Sequence, residues 1–176
     1  MPATPFHYPL AYLIYRLDKR LSLPGVVVGS MFPDLEIPTI ILLFGDKIPN
    51  HLVLHSLLGA ATIGTVLSIL VTVLVYPPLV SSLFRIEKSK IERRCRLSAI
   101  LVFSAFLGNI SHVGLDVVVH IENAIFWPFL TNIQSPVVSA LGVQNASLMI
   151  HALMGAIFLM LLIKKRTNLF EGLLVE

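Results

Sequence analysis

The sequence predicts an all-α, polytopic membrane helix bundle with about four to five hydrophobic segments, one of them broken around Pro33-Asp34. Three observations predict it. Of the 176 residues, 56% are hydrophobic and only 13% charged, about half the share of roughly 25% usual in soluble domains. So few charges cannot cover the surface of a water-soluble globule. The mean hydropathy of +0.85 excludes a disordered chain, which needs low hydrophobicity. Apolar runs near the ~20 residues that cross a bilayer core recur along the chain. The length allows one integral membrane domain over residues 1–176.

The first element, Tyr8 to Leu21, reads as a short amphipathic or shallowly inserted helix, begun at Pro5 and Pro9 and ended by Arg16, Lys19 and Arg20. Leu23 to Phe44 is apolar at both ends but holds Gly29-Ser30 and Pro33-Asp34-Leu35-Glu36-Ile37-Pro38. Two prolines and two acids predict a broken or re-entrant helix, whose irregular backbone must be buried in protein or beside water. Leu52 to Tyr76 is a long span that Pro77-Pro78 is expected to stop. Residues 84–96 form a basic helical loop. Leu97 to His120 is the next span. A connector over 122–147 carries Trp127-Pro128, with Trp127 as an interfacial anchor. Leu148 to Ile163 is the last span, closed by Lys164-Lys165-Arg166.

The net charge is +3. Its basic residues lie beside apolar runs rather than on a continuous basic face, so a nucleic-acid partner is not expected. The same clusters are topology signals. If basic flanks stay inside, residues 16–20, 84–96 and 164–166 are all cytoplasmic. The expected localisation is then the cell membrane, multi-pass, with the N-terminus outside and the C-terminus cytoplasmic. The N-terminus lacks the positive region of a secretory signal. Cys95 is the one cysteine; it excludes an internal disulfide and a thiolate zinc site.

That topology brings all six histidines to the extracytoplasmic half, together with Asp116 and, through the broken segment, Asp34 and Glu36. Ionisable groups within a bilayer are costly and mark function by default. His51 and His55 share a helical face at i, i+4, and His112, Asp116 and His120 form a stripe at i, i+4 and i+8. His112 and Asp116 can share a metal. His120, about 12 Å from His112 along an ideal helix, serves a second ion or a substrate phosphate. Imidazole and carboxylate without sulfur suit a divalent ion, zinc first, with manganese or iron as alternatives. For His51 and His151 a packing role weighs as much as ligation.

The ordered set of elements resembles a family of uncharacterised membrane-bound proteins described as metal-dependent hydrolases. The resemblance rests on Thr4-Pro5-Phe6-His7, Gly29-Ser30-Met31-Phe32-Pro33-Asp34, His55 to Gly59, Ser111-His112 with Leu115-Asp116, and Trp127-Pro128. It covers residues 1 to about 136. The order of ligands is also remotely similar to zinc-dependent phospholipase C. That likeness implies phosphoester hydrolysis with His7, Asp34, His55, His112 and Asp116 as metal ligands. The later H-x-x-x-E of that enzyme group has no counterpart, since Gly155 stands four residues after His151.

Two functions follow from this sequence. The first is a membrane-bound metal-dependent hydrolase of a phosphoester or other ester of a lipid-like substrate, with Glu36 or His120 as the general base. The alternative is a small carrier or channel that uses the same His/Asp cluster for a metal ion or a proton. Membrane lipids and a lipid-like substrate are the expected partners, and a homo-oligomer stays open.

Overall fold

A computed structural model describes residues 4–45, 52–120, 122–123, 125–129 and 133–176. His51 lies outside the described residues. After a short 3-10 turn over Thr4–His7, α1 runs Tyr8–Leu17 and α2 Leu23–Met31. A second 3-10 turn, Phe32–Leu35, separates α2 from α3, Glu36–Phe44. The long α4 covers Leu57–Phe84. Then come α5 (Lys88–Cys95), α6 (Ala99–Val119), α7 (Pro136–Leu141), α8 (Val143–Lys164) and α9 (Leu169–Leu174). Among the described residues, strand pairing is confined to β1 (Glu122–Asn123) against β2 (Ile133–Gln134), antiparallel. The fold is all-α, as the composition predicts.

Four segments are long and apolar enough to cross a membrane: Leu23–Phe44, Leu57–Phe84, Ala99–Val119 and Val143–Lys164. Their outward faces carry exposed Leu42, Leu74, Phe103, Leu159 and Ile163. Their shared interior holds Ser30, Thr65, Ser68, Thr72, Ser104 and Asn109. Apolar outside and polar within is the arrangement that lipid demands, since lipid tails cannot satisfy a hydrogen bond. The chain is a polytopic membrane protein with about four spanning helices.

Serine starts four of these helices. The Ser22, Ser56, Ser98 and Ser135 hydroxyls accept the amide protons of Gly25, Gly59, Leu101 and Val138, which satisfies one of the amides that a helix start leaves without a partner. The break between α2 and α3 falls where Pro33 was expected to make one. Pro77-Pro78 does not end α4. Residues Val71–Val75 widen into a π-helix, and the prolines fall in the first turn of the next segment, Tyr76–Phe84. There, a missing amide proton costs no helix bond. A further π stretch, Ala60–Gly64, lies near the start of α4. The last span is longer than Leu148 to Ile163, because α8 takes in Gln144, Asn145 and Ser147 at its polar start.

The central packing is α2 against α6. A Cβ on Gly29 would overlap the Ala105 carbonyl oxygen, and one on Gly108 would overlap that of Val26. Only glycine lets the two backbones approach this closely, a recurrent device between membrane helices. This crossing fixes the spacing between Ser30 on α2 and His112 on α6.

A candidate metal centre

His112 stands on α6, one turn past the glycine crossing. Its Nδ1–H donates to the carbonyl oxygen of Ser30 at 2.8 Å. A carbonyl can only accept, so the proton sits on Nδ1 and the Nε2 lone pair faces inward. It faces two carboxylates, Asp116 Oδ2 at 3.3 Å and Asp34 Oδ1 at 3.6 Å. Asp34 reaches this point because the Phe32–Leu35 turn breaks the helix there. Asp116 is one turn along α6 from His112.

His55 is held the same way. Its Nδ1 lies 2.8 Å from Glu36 Oε2, and its Nε2 lies 3.6 Å from Asp116 Oδ2 and 3.8 Å from Asp34 Oδ1. Two imidazole nitrogens thus face two carboxylate oxygens at 3.3–3.8 Å. Ligands at 2.0–2.1 Å around a tetrahedral ion stand about 3.3 Å apart. Asp116 also looks the other way. Its Oδ1 is 3.7 Å from His7 Nε2 and 3.9 Å from His120 Nε2. The His7 ring stacks on His112, with centroids 4.0 Å apart.

Nε2 of His112, both nitrogens of His7 and all four oxygens of Asp34 and Asp116 are buried without a hydrogen bond of good geometry. Such groups cost free energy unless something compensates them. Two sets of three residues, His7-His112-Asp116 and Asp34-His55-His112, are placed to hold a divalent metal ion. Nothing in the donor set selects zinc over another such ion.

Burial holds His7 down to about 4, and the neighbouring His112 adds to the effect. His7 therefore offers neutral imidazole nitrogens at neutral pH. Burial also pulls His55 down, but the neighbouring Asp34 and Glu36 carboxylates outweigh it and raise His55 to about 9. In the absence of a metal, the carboxylates hold a second proton on His55 in place of a cation.

Glu36 opens α3, and its carboxylate accepts the amide protons of Leu52, Val53 and Leu54 at 2.8–3.3 Å besides binding His55. It organises the turn that delivers His55. His151 is apart from the cluster; its Nδ1–H donates to the Ser147 carbonyl at 2.7 Å and its ring packs edge-on against Phe6. The Ser30 carbonyl, which orients His112, is a backbone atom with no signature of its own. The Gly29-Ser30 pair in the sequence marks its place.

One family model, described as a domain of unknown function (DUF4184), matches residues 1–172. The chain belongs to this family. No curated protein and no solved structure matches the chain. The family model spans all the clustered residues, from His7 to His120. This family member is a membrane helix bundle with buried His/Asp clusters able to coordinate a metal.

Proposed function

We propose that the protein is a membrane-embedded, metal-dependent hydrolase of a lipid-like ester. The observation that carries this reading is the set of inward-facing donors: Nε2 of His112 and His55 against Asp34 Oδ1 and Asp116 Oδ2, at 3.3–3.8 Å. In this reading Asp34, His55 and His112 would hold one ion. His7 and Asp116 would hold a second ion. A divalent ion bound there supplies a Lewis acid for the ester oxygen and lowers the pKa of an attacking water. Zinc is the ion this reading names first for an imidazole–carboxylate set, with manganese or iron as alternatives.

The chain's own residues complete the chemistry. Glu36 fixes the tautomer and direction of His55, a carboxylate–histidine arrangement common around catalytic metals. His120, at the C-terminal end of α6 and only partly exposed, is the general base in this reading. The preference for a phosphoester rests on the order of ligands along the chain. The substrate's apolar part enters from the bilayer, between spans whose outward faces are apolar.

The carrier reading has less support. Among the described residues, every buried acid and histidine belongs to this one cluster. The interior beyond it, toward the basic end, offers only hydroxyls and the Asn109 amide, bonded largely within the helices. Among the described residues, no chain of acids and histidines crosses the bundle.

The test is elemental analysis of the purified protein beside His112→Ala, with a phosphate-release assay on membrane phospholipids. Stoichiometric metal and turnover in the parent, both lost in the variant, support the proposal. A metal-free parent, or full turnover without metal, overturns it.

A further inference from the structure

The opposite end of the bundle from Asp116 and His112 carries a different feature. A groove of about 500 Å³ is lined by Arg20, Arg93, Arg94 and Arg96 with Ser22 and Ser98. Arg20 is committed to Asp18, at 2.7 Å. Arg93, Arg94 and Arg96 have no acidic partner among the described residues. The nearby Glu92 is paired with Lys88 at 3.4 Å.

The basic groove is not isolated. On one side it shares Arg20 and Ile100 with a groove of about 330 Å³ that continues over Leu21, Ala99 and Phe103. On the other it shares Arg93, Arg96 and Leu97 with a groove of about 540 Å³ that runs over Val73 and Pro77 of α4, with Ser89 and Glu92 at its polar rim. Leu97, Ile100 and Phe103 are exposed. The α6 span begins at Ala99, so the arginines lie at headgroup level, and each flanking groove joins a charged rim, with Asp18 on one side and Glu92 on the other, to apolar residues inside the spans, Ile100 and Phe103 or Val73 and Pro77.

This end is also fixed in place. The Ser22 hydroxyl donates to the carbonyl oxygen of Arg94 at 2.7 Å, and the Ser22 amide donates to the Ser104 hydroxyl at 2.9 Å. The C-terminal end of α5 is thereby tied to α2 and α6.

We propose that this end binds one anionic glycerophospholipid, with its phosphate among Arg93, Arg94 and Arg96 and its two acyl chains in the flanking apolar grooves. Guanidinium groups suit phosphate because two parallel N–H bonds match two oxygens. Topology signalling accounts for positive charge at this end but not for a basic groove with an apolar channel on each side. A free anion would leave those channels unused. The lipid here is bound, not cleaved: Ile100 and His112 are 12 residues apart, about 18 Å along the helix, and no histidine lines any of the three grooves. The inference stands independently of the hydrolase reading.

Native mass spectrometry of the full chain, delipidated in a neutral detergent, tests it. The probes are phosphatidylglycerol, phosphatidylcholine of the same acyl chains, and inorganic phosphate as competitor. One phosphatidylglycerol should bind about tenfold more tightly than phosphatidylcholine, and millimolar phosphate should not displace it. An Arg94→Gln/Arg96→Gln double variant should lose the preference. A Lys88→Gln/Lys90→Gln variant, with the same charge removed from the same helix outside the basic groove, should keep it. Equal binding of the two lipids overturns the proposal, as does an equal loss in both variants. Displacement by phosphate makes the groove a free-anion site and overturns the lipid assignment.

Discussion

Glu36 accepts a hydrogen bond from the Nδ1–H of His55 at 2.8 Å while the same carboxylate accepts the amide protons of Val53 and Leu54 at 2.8 and 3.1 Å. One side chain therefore shapes the turn and aims the imidazole. Glu36→Gln keeps the volume but turns an NH2 group toward donors. Metal affinity should fall about 10- to 100-fold, the usual cost of losing such an outer partner. Competition with a chromophoric chelator measures it. An affinity equal to the parent's would remove Glu36 from the positioning role.

Much of this centre is legible in the sequence. His112 and Asp116 are one helical turn apart, so their meeting needs only the helix. Asp34 beside Pro33 announces both a break and an acid inside it. The topology argument then brings His7 and His55 to the same level. The carbonyl of Ser30 and the amides of 52–54 were not legible, because backbone atoms carry no residue signature. The task of Glu36 depends on those amides, so the sequence alone offers it as a base. Pro77-Pro78 reads as a stop because an α-helix cannot take it internally. A local change to i→i+5 bonding over Val71–Val75 evades that rule, and valine-rich sequence does not announce such a change.

The α2–α6 crossing should tolerate no side chain at its centre. A Cβ on Gly108 would overlap the Val26 carbonyl and lie 2.8 Å from the Ser30 amide nitrogen. The helices must separate to admit it. Gly108→Val should lower the thermal unfolding midpoint in detergent, by a destabilisation of roughly 1–3 kcal/mol or more. It should also weaken metal binding, since the Ser30–His112 bond spans the same crossing. Gly114, whose Cβ would meet open space, is the control; Gly114→Ala should change neither. Equal effects at both positions would refute the packing argument.

At the basic end, α9 is docked through Glu176. Partial burial pushes that carboxyl up, but hydrogen bonds from Lys165 at 3.0 Å, Tyr12 at 2.8 Å and Lys19 at 3.2 Å outweigh it and hold it below its ordinary value. A carboxylate held low when folded adds stability that is complete above its unfolded pKa, about 4.3, and is lost as pH falls through its folded value. Hydrogen exchange of the α9 amides, corrected for intrinsic rate, should be unchanged between about pH 6 and 8 and accelerate below about pH 4. The effect is modest because the carboxylate is only partly buried and solvent screens its partners. Glu176→Gln should flatten the profile. An identical profile in that variant would assign the acid sensitivity elsewhere.

The orientation of the bundle is open to a direct test. Lys19 and Lys165 both contact Glu176, and Lys90 contacts Glu171, so the three basic clusters share one end. The other end carries the His/Asp centre and α7, whose cap Ser135 donates to the Val118 carbonyl at 3.0 Å. If basic flanks are retained inside, the metal centre opens on the extracytoplasmic side. In a Cys95→Ser background, a membrane-impermeant maleimide applied to intact cells should label Ala140→Cys. It should label Ser89→Cys only after permeabilisation. Both positions are exposed, so accessibility within the protein does not confound the comparison. The reverse pattern would put the centre on the cytoplasmic side and make its substrate an inner-leaflet lipid.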